Sequence, residues 1–461
     1  MDKLKKDQET INQILYHTTE YASNFFSTLK DRPVSIWTQQ LPEDKLTDQG
    51  LGANETLKVF TKEYADRLSG SNGARYLGFV TGGATPAAIA GDWLASIFDQ
   101  NVATSDSSIA SSMEEKTIDM LKDLFDLDND YSGAFVSGAT MSNFVGVAQA
   151  RQWIARFLGV NVTLEGLFNL PSIKILSGKP HSSIYKSASM LGIGKNSIAT
   201  LPCKKGRESI DIYALEEMLI KQNGFPCVVV ANAGTVNTGD FDDLMAIGEL
   251  KKKYDFWLHV DAAFGGFVSC SPKYADLASG INNADSITID AHKWLNVPYD
   301  SALQFTRHRE IQLEVFENNA SYLSTSNDTL DYCNLTPENS RRFRALPAWF
   351  TLKAYGKKEY QSMVERNIDL AKQLGSKIEK SEHLKLLSEV HLNIVCFTLK
   401  SDTATKDDVL NFLKKVNEKG QVYMTQTDYN GITAIRAAFS HWNTDERDLE
   451  IIWSSLNESL K

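Results

Sequence analysis

From Pro86 to Ala345 the chain keeps returning to one pattern, a short run of β-branched and apolar residues followed by a longer stretch with helical spacing. Residues 172–176, 227–231, 257–260 and 286–289 are four such runs. They are apolar nearly throughout, which is the texture of strands buried on both faces, and the helical stretches between them supply the cover. The expected fold is α/β, built on a mostly parallel sheet.

Two smaller units flank it. In residues 1–85 the apolar positions Ile11, Ile14, Leu15, Phe25 and Leu29 recur at near-helical spacing, so an amphipathic helix is expected to pack there. Prolines and glycines follow, up to the loop that leads into Pro86. Beyond Arg344 the texture changes to a long helical pattern through Lys380, a strand at 391–399, a helix at 407–419, a strand at 432–438 and a final helix from Thr444. That order reads as a small α+β unit, giving expected divisions of 1–85, 86–345 and 346–461.

Composition narrows the function. A formal charge of -10 over 461 residues argues against a general binder of phosphate backbones, which needs clustered Lys and Arg. The first residues are charged and no apolar run is long enough to span a bilayer, so the expected location is cytoplasmic, without membrane or nucleic-acid partners. Cys203, Cys227, Cys270, Cys333 and Cys396 lie far apart without CxxC spacing, which favours reduced thiols over a disulfide framework or a metal site.

Four short segments carry chemistry. Residues 286–294 (SITIDAHKW) end a strand on Asp290, Ala291, His292 and Lys293, and a lysine there can offer its amine to a carbonyl carbon. Residues 257–266 (WLHVDAAFGG) end a strand on Asp261, where α/β sheets bind ligands. A carboxylate so placed can keep a pyridine nitrogen protonated. Residues 133–143 (GAFVSGATMSN) lead into a helix through small residues, which lets backbone N–H groups approach a phosphate. Residues 177–183 (SGKPHSS) bring His181 to the same sheet edge. Each segment taken alone has a structural explanation: a surface lysine, a capping Asp, a glycine turn or a packed histidine.

Taken together, the four segments resemble the group II pyridoxal-phosphate decarboxylases, the family of aromatic-amino-acid and glutamate decarboxylases. The resemblance spans residues 78–438 and is strongest at HVDAA (259–263) and DAHKW (290–294). It implies the type I fold of pyridoxal enzymes, pyridoxal 5′-phosphate as cofactor, and a homodimer with active sites at the subunit interface. Carried over to this chain, it makes Lys293 the Schiff-base lysine, Asp261 the partner of the pyridine nitrogen, and His181 and Ala263 the contacts on the two ring faces. It also implies that Ala139, Thr140, His292 and Asp290 lie at the phosphate, that Thr235 lies beside the ring, and that Phe79, Thr81 and Arg436 meet the substrate.

Residues 318–344 lose periodicity and resemble the family's mobile catalytic loop, whose proton-donating tyrosine matches Tyr332; Tyr322 also falls in this loop. The implied reaction is decarboxylation of an L-amino acid to its amine. Within the family, loss of that tyrosine or of the stacking histidine accompanies aldehyde-forming chemistry, and this chain has both as Tyr332 and His181. A transaminase, an aldehyde-forming oxidase and a catalytically silent scaffold are the competing readings; intact Lys293 and Asp261 argue against the scaffold. The entrance segment, 72–79 (NGARYLGF), departs from the family's common His-Pro form. There Arg75 could meet an acidic substrate, or Tyr76 and Phe79 could line a pocket for an aromatic one. The aromatic substrate is preferred.

Overall fold

The computed structural model describes residues 3–36, 41, 43–105, 108–318, 331–401 and 403–461. Its central sheet has seven strands: β1 (Ser132–Val136), β2 (Ile175–Ser177), β3 (Ile198–Thr200), β4 (Cys227–Asn232), β5 (Phe256–Asp261), β6 (Ser286–Ile289) and β7 (Ala302–Thr306). They are ordered β1-β7-β6-β5-β4-β2-β3. Strands β2 to β6 pair in parallel, whereas β7 runs antiparallel to both β6 and β1. Every residue of β4, β5 and β6 is buried, so their unbroken apolar texture reflects helices on both faces of the sheet. The sheet and its cover give the α/β, type I architecture expected.

Beyond the large sheet, helix Ala345–Glu379 leaves helical geometry at Gly356. Its first part packs on helix Pro86–Phe98, with Leu346 and Pro347 crowding Gly91. Its later residues Leu370, Leu374 and Ile378 enter a separate core with Val395 and Phe397. That core belongs to an antiparallel sheet of β8 (Leu384–Leu386), β9 (Ile394–Leu399), β10 (Thr425–Tyr429) and β11 (Ile432–Ala438), ordered β10-β11-β9-β8. Helices Lys406–Glu418 and Glu446–Ser459 complete it. Each starts on a reciprocal capping box, Thr405 with Asp408 and Asp445 with Asp448, which satisfies N–H groups the first turn would otherwise leave bare.

The N-terminal segment does two different things. Leu77 joins the small unit's core; its N–H donates to the Tyr423 carbonyl oxygen (2.8 Å), and its own carbonyl oxygen accepts from the Ala438 N–H (3.0 Å). Helix Ile11–Thr28 forms as expected, yet none of its residues is buried. Ile11 and Leu15 are each 48% exposed, so the described residues cover that apolar face only in part. Among the described residues no helix is long and apolar enough to cross a membrane.

Candidate active site

Five strands deliver the site from their carboxyl ends, as the geometry of α/β sheets directs. Strand β5 ends on Asp261; β6 passes through Asp290 into the single-turn helix Ala291–Trp294, which carries His292 and Lys293. Strand β4 ends on Asn232, just before Gly234. Strand β1 runs into Gly138 and helix Ala139–Phe157, and β2 runs towards His181, the N-cap of helix Ser182–Met190. These ends and the entrance segment enclose a cavity of about 280 Å³. Phe79, Ala139, Thr140, His181, Asp261, Ala263, Asp290, His292, Lys293 and Arg436 all line it.

Lys293 Nζ lies 3.6 Å from Asp290 Oδ2 and 5.5 Å from the centre of the Phe264 ring. Its backbone carbonyl oxygen sits so close to Gly82 that no side chain fits there. The chain reaches that crossing through Phe79 and Val80, which hold φ of 57° and 62°. For a β-branched valine this left-handed region costs about 1–3 kcal/mol, strain that surrounding packing must offset. His292 Nδ1 accepts the Ser301 N–H (3.2 Å), so its proton sits on Nε2, 3.1 Å from Asp290 Oδ1.

At the other strand ends, Asp261 accepts two N–H groups: Asn143 Nδ2 on Oδ2 (2.9 Å) and the Ala263 amide on Oδ1 (3.2 Å). His181 Nδ1 accepts the Ser183 N–H (3.2 Å) and bonds the Ser183 hydroxyl (2.8 Å). Burial lowers its pKa, with Lys293 and Arg436 adding to that effect and Asp261 opposing it, so His181 is the neutral Nε2–H tautomer. Arg436 Nη1 donates to the Val236 carbonyl oxygen (2.6 Å), while its buried Nε has no partner among the described residues.

The donor set fits pyridoxal phosphate. Lys293 can bind its aldehyde carbon and Asp261 its pyridine nitrogen. The first N–H groups of helix Ala139–Phe157, which have no acceptor within the helix, suit its phosphate. Residues 73–400 match the Pyridoxal-dependent decarboxylase conserved domain, 328 residues of the chain. The chain belongs to this family. It is a pyridoxal-phosphate-dependent amino acid decarboxylase, a carboxy-lyase.

Two relatives match nearly all of the chain. The aromatic-L-amino-acid decarboxylase of Bacillus atrophaeus is 26% identical over 472 residues, covering 98% of this chain and 96% of its own. The 4-hydroxyphenylacetaldehyde synthase of Rhodiola rosea is 23% identical, covering 96% and 93%. Among solved structures, Oryza sativa TDC with PLP and tryptamine superposes with a TM-score of 0.89 at 20% identity, covering 98% of this chain and 97% of its own.

Three of the expected site residues are not brought to the decarboxylase's cavity. Thr81 bonds the Tyr299 hydroxyl (2.7 Å) and lines a neighbouring cavity of about 300 Å³. Thr235 lies between two lining residues, but its hydroxyl donates to Glu208 (2.7 Å). Tyr332 occupies the single-turn helix Tyr332–Asn334, fully buried, with the Arg341 guanidinium 4.7 Å from its ring centre. Ring burial and the cation beneath it explain that placement. Residues 319–330 of the resembling loop, including Tyr322, lie outside the described residues.

Asn143, Ser183 and Glu208 were not singled out from the sequence. Asn143 and Ser183 do stand at the ends of two segments that were quoted, so spacing held that signal. Glu208 is buried, with no strand or glycine motif to mark it.

Proposed function

We propose that this decarboxylase acts on an aromatic L-amino acid, releasing the amine and carbon dioxide, and that it works as a homodimer in the cytoplasm. The observation that carries the substrate class is Arg75. Its Nη1 pairs with Asp448 (3.0 Å), and Nε and Nη2 donate to the carbonyl oxygens of Gln421 and Lys30 (both 2.9 Å). The entrance cation that could have met an acidic side chain is thereby engaged elsewhere. Aromatic rings line the same segment: Tyr76 stacks on Tyr423 with centres 4.6 Å apart, and Phe79, 56% exposed, stands 6.1 Å from Tyr423. An apolar mouth of this kind favours a flat apolar side chain. The Bacillus atrophaeus relative's name agrees with that choice.

When bound, pyridoxal phosphate supplies an electron sink for the pair left behind as carbon dioxide departs. Lys293 Nζ would hold it, and the amides of Ala139 and Thr140, with His292, would bind its phosphate. Asp261 would hold the proton at the pyridine nitrogen, with His181 and Ala263 beside the ring. Arg436 and Phe79 position the substrate. Tyr332 returns a proton to the substrate carbon, which requires the phenol to leave its place over Arg341. With His181 and Tyr332 both in the chain, amine is the product favoured over the aldehyde named for the Rhodiola rosea relative.

Exposed apolar side chains support the dimer. Ile11 and Leu15, and also Trp93, Ile97 and Phe98 on helix Pro86–Phe98, are between 41% and 62% exposed, apolar side chains that a second copy of the chain would cover. Five free cysteines suit a reducing compartment. The test is to purify the protein with pyridoxal phosphate and offer tyrosine, tryptophan, phenylalanine, glutamate and aspartate separately. Equimolar amine and carbon dioxide from the aromatic acids is expected; turnover of glutamate or aspartate alone contradicts the substrate class, and aldehyde or keto acid contradicts the reaction.

A further inference from the structure

Asn143, Ser183, His259, Trp257 and Ser286 are buried behind the cavity, and no step above uses them. They form a chain of hydrogen bonds in which each link has one permitted direction. Asn143 Nδ2 reaches both Asp261 Oδ2 and Ser183 Oγ (2.9 Å each), so Oδ1 is the acceptor towards His259 Nε2 (2.8 Å). The flipped amide would set its oxygen against a carboxylate. His259 therefore donates from Nε2 and, when neutral, accepts at Nδ1 from the Ser286 hydroxyl (2.8 Å). Ser286 Oγ in turn accepts from the Trp257 indole N–H, a group that can only donate (2.9 Å). On the other branch, Ser183 Oγ accepts from Asn143 and donates to His181 Nδ1.

We propose that His259 and Asn143 are positioning residues for the decarboxylation, heading a one-way relay that orients Asp261 towards the cofactor nitrogen and fixes the tautomer of His181. This rests on the pairing of Asp261 with that nitrogen. The relay starts on a donor-only indole and ends on an acceptor-only carboxylate, so it delivers orientation without adding charge. Burial lowers the pKa of His259 to about 4, with Asp261 opposing, which keeps the imidazole neutral. Its ring also has a dedicated place: a methyl at Gly146 would lie 2.5 Å from His259 Cε1 and Nδ1. Groups that position the primary contacts of a site commonly matter nearly as much as those contacts.

The experiment loads the protein with pyridoxal phosphate labelled with ¹⁵N in the ring and records that nitrogen's chemical shift, together with the rate of cofactor release. Asp261→Ala is the control, expected to move the signal from the protonated to the unprotonated position. If it stays, the Asp261 pairing is wrong and the relay falls with it. If it moves, His259→Phe and Asn143→Leu are expected to shift it part of the way and to speed release by about tenfold or more, the size of a lost hydrogen bond to a charged group. His259→Gln, whose Nε2 can still donate to Asn143, is expected to keep the wild-type signal. Wild-type shifts in both His259→Phe and Asn143→Leu, or equal shifts in His259→Phe and His259→Gln, overturn the relay. Should those variants fail to fold, the wild-type imidazole decides: a proton on His259 Nε2 supports the relay, and a proton on Nδ1 overturns it.

Discussion

A buried hydroxyl without a hydrogen bond works against folding, and the Tyr332 phenol is such a group: fully buried, its Oη unpartnered among the described residues, its ionisation pushed far up by burial and by Glu114. Its oxygen contributes nothing visible to the state seen here, which suits a hydroxyl kept for chemistry. Tyr332→Phe is therefore expected to leave the melting temperature unchanged or slightly raised while amine formation falls by about a hundredfold or more, the usual weight of a general acid. Full activity in that variant would contradict the role of Tyr332 as proton donor. The sequence showed the site residues at strand ends, because Lys293, Asp261 and His181 each follow an apolar run. It could not show that Thr81 and Thr235 turn aside, since their partners Tyr299 and Glu208 are remote in sequence.

At the scale of elements, one fully buried ion pair fastens the segment ahead of the long helix to the large sheet. Arg341 Nη2 donates to Glu114 Oε1 (2.7 Å) and to the Phe135 carbonyl oxygen (2.6 Å), and Glu114 Oε1 accepts the Phe135 N–H (3.0 Å). Helix Ala110–Phe125, β1 and the chain entering helix Ala345–Glu379 thus meet at one charge pair. Removing one partner strands the other in the interior, so Glu114→Ala is expected to lower unfolding free energy by about 3–5 kcal/mol in denaturant titration. A loss below about 1 kcal/mol would show that the pair is replaceable by water. Elements with uniform texture were legible: β4, β5, β6 and β11 came out within a residue or so of expectation. Strand β7 was not, because Gln304, whose Oε1 accepts from Gln312 Nε2 (2.8 Å), interrupts its apolar run, and β10, polar and at a sheet edge, carries no period that marks a strand.

For the whole molecule, the buried titratable groups set a dependence on pH. His259 and His441 are both lowered to about 4 by burial, below the value of about 6.5 in an unfolded chain. From pH 6.5 down to 4 the unfolded state takes up protons that these histidines refuse in the fold, so stability present above pH 6.5 is lost as the pH falls. Asp242, raised to about 6 by burial, takes a proton earlier in the fold and offsets one histidine between pH 6 and 4. The balance is about one proton, or about 1.4 kcal/mol per pH unit, and thermal denaturation between pH 7 and 4.5 should show a falling melting temperature. A flat or rising profile towards acid contradicts that balance. The exposed face of helix Ile11–Thr28 was not legible: periodicity reveals an apolar face but not what covers it. Every step of the proposed chemistry depends on Lys293. Reducing the loaded protein with borohydride, digesting it and mapping the modified lysine should find the pyridoxyl group on Lys293; a label on any other lysine, or none, would contradict it.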